Sequence, residues 1–119
     1  MRQMLVVDDE RDICECLKDF FSARGFEVAC AFSGEEALQR LSQHPADVIL
    51  LDLLLPGLSG LEVLKRVKRL LPTARVIIVT ALDQGDLREK ARRYGAADYI
   101  TKPFDLAQST WYVAFVDHV

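Results

Sequence analysis

Five polar residues of this 119-residue chain stand at the ends of short apolar runs. Asp8 and Asp9 follow the first run, Asp52 ends the third, Thr80 ends the fourth and Lys102 follows the fifth. Each residue alone has an ordinary structural role, such as capping a helix, closing a turn or lying on the surface. If the runs are strands of one parallel sheet, all five share the edge where open α/β sheets place their chemistry.

The residue types at this edge suit phosphoryl transfer assisted by a divalent cation. Three clustered carboxylates raise one another's pKa unless a cation neutralises them, and a hard ion with oxygen ligands, above all Mg²⁺, does so. Asp52 could attack phosphorus as a carboxylate nucleophile. Lys102 would balance the charge on the phosphoryl oxygens, and the Thr80 hydroxyl would hydrogen-bond one of them.

The elements that position these residues alternate between strands and helices. Apolar runs covered on both faces are typical of a parallel sheet with helices on each side. Helical spacing fills the intervals, and capping-box sequences precede the second and third helices. We therefore predict an α/β fold with right-handed crossovers and five parallel strands. The strands are predicted at 4–7, 26–31, 48–51, 75–80 and 97–101.

Strand order decides whether the three carboxylates meet. In the order 2-1-3-4-5, the first and third strands are neighbours, about 4.8 Å apart, so Asp8, Asp9 and Asp52 share one crevice at the topological switch point. In the order 3-2-1-4-5, a strand intervenes and the acids stand roughly 10 Å apart, too far to share an ion. The residues themselves leave both orders open.

Length and composition narrow the class of protein. With 119 residues, 50% hydrophobic and 28% charged, the chain reads as one soluble domain. A net charge of -3 argues against direct nucleic-acid binding. We recognise neither a signal peptide nor a membrane-spanning run. Cys14, Cys16 and Cys30 lack metal-site spacing and suit reduced thiols, so we expect a cytoplasmic location.

A series of short motifs runs in order from residue 4 to about residue 106. They are Asp8-Asp9-Glu10, Asp52, Leu55-Pro56-Gly57, Gly60, Val79-Thr80-Ala81, Gly95-Ala96, Asp98-Tyr99 and Lys102-Pro103-Phe104. Each motif is weak alone, but their order and spacing resemble the response-regulator receiver domain of two-component signalling. We therefore interpret residues 1–119 as one receiver domain with an atypical segment at about 105–119.

This resemblance implies a flavodoxin-like fold: a doubly wound sheet in the order 2-1-3-4-5 with helices on both faces. It implies that Asp52 accepts a phosphoryl group from a sensor histidine kinase or a histidine phosphotransfer protein. Thr80 and Tyr99 would be the switch residues, Lys102 would bind the phosphoryl group, and the peptide bond before Pro103 would be cis. The chain would then change its surface to control an output domain or partner. It would not be a conventional enzyme.

The resemblance also implies how Mg²⁺ is bound. Asp9 and Asp52 would be direct ligands, the backbone carbonyl of Leu54 would be a third, and Asp8 would act mainly through water. Mg²⁺ is therefore the cofactor that we expect.

Two leucines depart from what we would expect beside a short-lived aspartyl phosphate. Leu54 and Leu82 stand two residues after Asp52 and Thr80. In this family those positions flank the path of the hydrolytic water. We hypothesise that the leucines exclude or misalign this water and prolong the life of the aspartyl phosphate.

The end of the chain is the larger departure. Alternation predicts a fifth helix from Phe104 to Val119, but residues 111–116 are apolar around every helical face. Because such a patch rarely stays exposed on a monomer, we expect a homodimer formed through the fourth helix, the fifth strand and this tail. A truncated end, detached from an output domain, is the competing explanation.

Three other functions fit these residues less well. An Asp-nucleophile phosphohydrolase on a related fold would need a second acid two residues after Asp52, where Leu54 stands. A nucleotide- or flavin-binding module would need a Gly-rich phosphate loop after the first strand, where acids stand instead. A receiver-like interaction module that is not phosphorylated is disfavoured by the complete set of acids.

Overall fold

The computed structural model describes residues 2–107 and confirms the alternation of strands and helices over that range. Its strands are β1 (Arg2–Val7), β2 (Phe26–Ala31), β3 (Val48–Leu51), β4 (Arg75–Thr80) and β5 (Asp98–Thr101). Its helices are α1 (Arg11–Ser22), α2 (Gly34–Gln43), α3 (Gly60–Leu70) and α4 (Gly85–Arg93). The strand ends that carry the candidate site residues coincide with the predicted ones.

The five strands form one parallel sheet in the order β2-β1-β3-β4-β5. This arrangement is the flavodoxin-like order 2-1-3-4-5, and it rules out the order in which a strand separates β1 from β3. Val7 pairs with Leu51, so the residues that follow them, Asp8 and Asp52, lie side by side. The Asp52 N–H donates to the Val7 carbonyl at 3.0 Å, which continues the pairing up to the site.

Helices cover both faces of the sheet, and this explains why the strands are apolar throughout. Alternate residues of a strand point to opposite faces, so a strand buried on both sides needs apolar residues at every position. One core contains residues of α2, α3 and α4, and the other contains residues of α1. In β1, Leu5 and Val7 belong to the first core, and Met4 and Val6 belong to the second.

Both predicted serine N-caps form, and the first has the reciprocal bond to its glutamate. The Ser33 hydroxyl accepts the Glu36 N–H at 3.1 Å, and the Glu36 carboxylate accepts the Phe32 N–H at 2.8 Å. The Ser59 hydroxyl accepts the Glu62 N–H at 3.3 Å. These bonds satisfy N–H groups that have no partner within the helix, and each cap contributes about 1 kcal/mol of stability.

The predicted fifth helix is wrong for its first four residues. Residues 104–107 are not helical, and the Asp105 carboxylate accepts the Ala107 N–H at 2.9 Å, a local bond typical of a turn. Phe104 and Leu106 pack against the α1 side of the core. The remainder of that prediction, including residues 111–116, lies outside the described residues. Within residues 2–107, no helix is both long and apolar enough to cross a bilayer.

Candidate functional site

The carboxyl edge of the sheet holds one ammonium group between two nearly buried carboxylates. The Lys102 Nζ lies 2.8 Å from Asp8 Oδ2 and 2.9 Å from Asp52 Oδ2. Asp8 and Asp52 are 2% and 3% exposed, and the Lys102 side chain is 10% exposed. Because β1 and β3 are neighbours and β5 lies beyond β4, the long lysine side chain has to cross the end of β4 to join them.

The second oxygen of each carboxylate is held by its own loop. Asp8 Oδ1 accepts the Glu10 N–H, and Asp52 Oδ1 accepts the Leu54 N–H, each at 2.9 Å. Each acid is therefore tied to the backbone through one oxygen and to Lys102 through the other. The two bonds fix the carboxylate orientations before any ligand arrives.

Burial and neighbouring charges raise the pKa values of Asp8 and Lys102. Burial raises the pKa of Asp8, and the nearby Asp52 adds to the rise, which the hydrogen bond from Lys102 only partly offsets. Burial alone would lower the pKa of Lys102, but its hydrogen bonds to Asp8 and Asp52 outweigh burial and raise it. Both pKa values rise because Lys102 contacts two acids, whereas Asp8 shares its one cation with Asp52.

The acids fit a hard divalent cation. Asp8, Glu10 and Asp52 offer carboxylate oxygens that all lie within 4.8 Å of one another. Glu10 is also 3.4 Å from the Lys102 Nζ. Three carboxylates against one ammonium leave an excess of two negative charges. Oxygen donors with that excess charge suit Mg²⁺.

A different acid from the one that the resemblance emphasised lies beside Asp8 and Asp52. Asp9 is exposed and is not among the three clustered acids, whereas Glu10, which the sequence reasoning did not select, is one of them. Sequence alone does not indicate which acids lie near Asp52, since three acids follow β1 in a row. Only the loop conformation decides which of them point towards Asp52.

The two predicted switch residues both bind the backbone of Leu82. Thr80 is fully buried at the end of β4, and its hydroxyl accepts the Leu82 N–H at 3.5 Å. The Tyr99 hydroxyl donates to the Leu82 carbonyl at 2.6 Å. Burial raises the pKa of Tyr99, and the Arg88 guanidinium lies 4.7 Å from the centre of its ring. The loop after β4 therefore connects the site to α4 and β5.

The backbone around Lys102 also agrees with expectation. The Lys102–Pro103 peptide bond is cis. The Lys102 N–H donates to the Thr80 carbonyl at 2.8 Å, so the end of β5 stays paired with β4 at the residue that carries the ammonium group.

Gly60, the first residue of α3, lets that helix pack directly on the loop that carries Asp52. A Cβ atom at this position would collide with Leu53 Cα and lie 2.7 Å from the Asp52 carbonyl oxygen. Since backbone cannot move aside cheaply, we expect Gly60→Ala to lower the free energy of unfolding by about 2 kcal/mol, measured by urea denaturation. Gly85→Ala is the matched control, because a Cβ there meets nothing within 4 Å. Equal stability of the two variants would contradict this packing.

Comparison with known proteins shows which family this chain matches. Residues 4–113 match the response regulator receiver domain family. Transcriptional regulatory protein CrdR of Helicobacter pylori is 39% identical over 106 residues, which cover 88% of this chain and 50% of CrdR. Sporulation initiation phosphotransferase F of Bacillus subtilis is 36% identical over 104 residues, which cover 87% of this chain and 84% of that protein. The chain spans about half the length of the first of these relatives.

Solved structures agree with the sequence relationship. The Francisella response regulator 1452 receiver domain superposes with a TM-score of 0.87 and 32% identity, covering 98% of this chain and 96% of that one. The CheX-CheY-BeF3-Mg²⁺ complex from Borrelia burgdorferi gives a TM-score of 0.90 and 30% identity, covering 98% and 89%. Fold, strand order and sequence match agree, and the chain belongs to the response regulator receiver domain family.

Proposed function

We propose that this receiver domain is a signalling switch in which Asp52 accepts a phosphoryl group from a sensor histidine kinase or a histidine phosphotransfer protein. The observation that carries the proposal is the 2.9 Å contact between Asp52 and Lys102 inside a nearly buried acidic cluster. The test is uptake of phosphate from acetyl phosphate by the wild-type chain and by Asp52→Ala.

The fixed carboxylate explains how Asp52 would react. Its attack on a phosphohistidine forms an O–P bond and breaks the P–N bond, and the electron pair of that bond stays on the imidazole. The Leu54 N–H holds one oxygen and orients the other. Lys102 then faces the transferred oxygens as a positive charge. Mg²⁺, when bound, supplies further positive charge against the phosphoryl oxygens. Asp52 is itself modified, so the chain acts as a phosphoacceptor and not as a conventional enzyme.

For the cation, we propose that Asp9 and Asp52 bind Mg²⁺ directly with the Leu54 carbonyl, and that Asp8 acts mainly through water. The acid cluster and the Mg²⁺ in the Borrelia complex support a magnesium site. We expect Asp9→Asn to weaken Mg²⁺ binding at least tenfold in calorimetric titration, about 1.4 kcal/mol, because a charged ligand is lost. Glu10→Gln is the matched variant and should change the affinity less.

A larger loss in Glu10→Gln than in Asp9→Asn would instead assign the ion to the cluster of Asp8, Glu10 and Asp52. Those are the three acids that lie together in the structure.

The contacts at Leu82 support a route from the site to the surface. A phosphoryl group on Asp52 would accept a hydrogen bond from the Thr80 hydroxyl. Movement of the hydroxyl towards it would weaken the bond from the Leu82 N–H, which is already long at 3.5 Å. Any movement of Leu82 reaches Tyr99 through the 2.6 Å bond to its carbonyl. Phosphorylation would thus shift the population between two packings of α4 and β5.

Leu54 and Leu82 are proposed to prolong the aspartyl phosphate. Leu54 is 51% exposed beside Asp52, and Leu82 is partly buried. Neither side chain can hydrogen-bond a water for in-line attack. We expect the double variant Leu54→Asn/Leu82→Glu to lose phosphate several-fold faster than wild type, measured as a dephosphorylation time course. The control is Leu70→Asn, a comparably exposed leucine at the end of α3. A double variant no faster than wild type would refute this role.

The surface of α4 and β5 is the proposed contact for partners. A cleft of about 260 Å³ lies there, and residues lining it include Arg88, Ala91 and Tyr99. We propose that this surface controls an output domain or a partner, and that it forms a homodimer with help from the segment after residue 107. We further propose a cytoplasmic location, which the three free cysteines support.

A further inference from the structure

Two cysteine side chains meet behind the acidic cluster. Cys14, on α1, is 1% exposed, and Cys30, on β2, is partly buried. Cys30 pairs with Val6 of β1, and both belong to the core that packs on α1. The Cys30 thiol donates to the Cys14 carbonyl at 3.8 Å, and the Cys14 thiol donates to the Asp8 carbonyl at 3.4 Å. The fold therefore holds the Cys30 side chain against Cys14, a residue 16 positions away in sequence.

The two thiols are not equivalent. Interaction with the Cys14 side chain lowers the pKa of the Cys30 thiol, burial opposes this without reversing it, and the charge of Lys18 helps to lower it. Cys30 is also the more accessible of the two. An accessible thiol with a lowered pKa beside a buried second thiol matches the chemistry of a reactive and a resolving cysteine.

We propose that Cys14 and Cys30 form a redox modification site whose co-substrate is a peroxide. The Cys30 thiolate attacks one peroxide oxygen, the O–O bond breaks, and Cys30 becomes a sulfenic acid. The Cys14 sulfur then attacks the Cys30 sulfur, the S–O bond breaks and the hydroxyl leaves as water with the Cys14 proton. Overall, two thiols lose two electrons and two protons, and hydrogen peroxide is reduced to two waters.

The disulfide would reach the phosphoacceptor site through one hydrogen bond. The Cys14 thiol donates to the backbone carbonyl of Asp8 at 3.4 Å, and a disulfide removes this donor. Asp8 in turn contacts Lys102. We therefore expect oxidation to slow phosphate uptake, an expectation that rests on the proposed function of Asp52. The disulfide itself does not rest on it.

To test this, the reduced chain is treated with hydrogen peroxide and denatured, and its remaining thiols are alkylated. The intact mass then counts the alkylated cysteines. We expect the mass of a chain with one alkylated cysteine, Cys16, and a peptide map that links Cys14 to Cys30. A reductant should restore three alkylation sites. Cys16→Ser, which changes an exposed cysteine of α1, is the matched control and should still form the link. Cys30→Ser should not form it.

Three outcomes would overturn the proposal: three alkylated cysteines after peroxide, links that involve Cys16, or Cys30 oxidised to a sulfinic acid with no link. Peptide mapping of the wild type decides this even if Cys30→Ser fails to fold. Phosphate uptake from acetyl phosphate is then compared for the oxidised, reduced and re-reduced Cys16→Ser chain. An unchanged rate despite a mapped disulfide would overturn the link to Asp8, and absence of uptake in the reduced chain would count against the proposed function alone.

Discussion

Incubation with acetyl phosphate and magnesium should add one phosphate to the wild-type chain and none to Asp52→Ala, as measured by intact mass. The carboxylate of Asp52 is oriented by the Leu54 N–H and faces Lys102 at 2.9 Å. Removing it removes the nucleophile, so the expected effect is complete loss of the adduct. No other change to the chain is expected to have so large an effect on phosphorylation.

The neighbouring carboxylate supplies the control for this experiment. Asp8 is as buried as Asp52 and lies 2.8 Å from the same ammonium group. Asp8→Asn should therefore still take up one phosphate, only more slowly, because it weakens the cation site without removing the nucleophile. Phosphate on the Asp52→Ala chain would show that the acceptor has been assigned to the wrong acid. Loss of the phosphate from Asp8→Asn alone would show the same. Thermal unfolding checks that both variants are folded.

Lys102→Met should slow phosphate uptake by roughly 100-fold, because it removes a preorganised positive charge from the developing phosphoryl oxygens. It should also lower the free energy of unfolding at pH 7, without magnesium, by about 3 kcal/mol, since it leaves two buried carboxylates without their cation. Urea denaturation measures the second effect. Lys90→Met, which changes an exposed lysine of α4, is the control and should alter neither quantity.

The pH dependence of Lys102→Met gives an independent check. Burial already raises the pKa of Asp8 above its ordinary value of 3.8, and loss of Lys102 should raise it further. The folded state then binds more protons than the unfolded state, so the variant should regain stability as the pH falls towards 3.8. In the wild type, the pKa of Lys102 is raised above 10.5, so its contribution is fully present below pH 10.5 and is lost only above it. A variant as stable as wild type at pH 7, with no recovery in acid, would show that Lys102 does not compensate the acids.

Much of the fold was predictable because its signals are local. The runs at 48–51 and 76–79 are apolar at every position, as strands covered on both faces must be. Both serine N-caps formed because a cap depends on residues three positions apart. The local argument failed at residues 104–107, where alternation predicted a helix and the Asp105 side chain instead accepts the Ala107 N–H within a turn.

The position of the candidate residues at the sheet edge was predictable, and their contacts were less so. Asp8, Asp52, Thr80 and Lys102 all lie at the carboxyl edge, as their places at the ends of apolar runs indicated. The clustering of Glu10 with Asp8 and Asp52 was not predicted, since three consecutive acids carry no pattern that distinguishes them. The contact of Tyr99 with the Leu82 carbonyl was also beyond sequence reasoning, because the partner is a backbone atom 17 residues away.

The sequence by itself determined the strands, the helix starts and the polar residues that end the strands, because these depend on residues close together in the chain. Only the tertiary structure decided that β1 lies beside β3, since the same apolar runs satisfy either strand order. It also decided that Lys102, 50 residues after Asp52, bridges two buried acids. Contacts between distant residues depend on how the whole sheet assembles, and no local pattern encodes them.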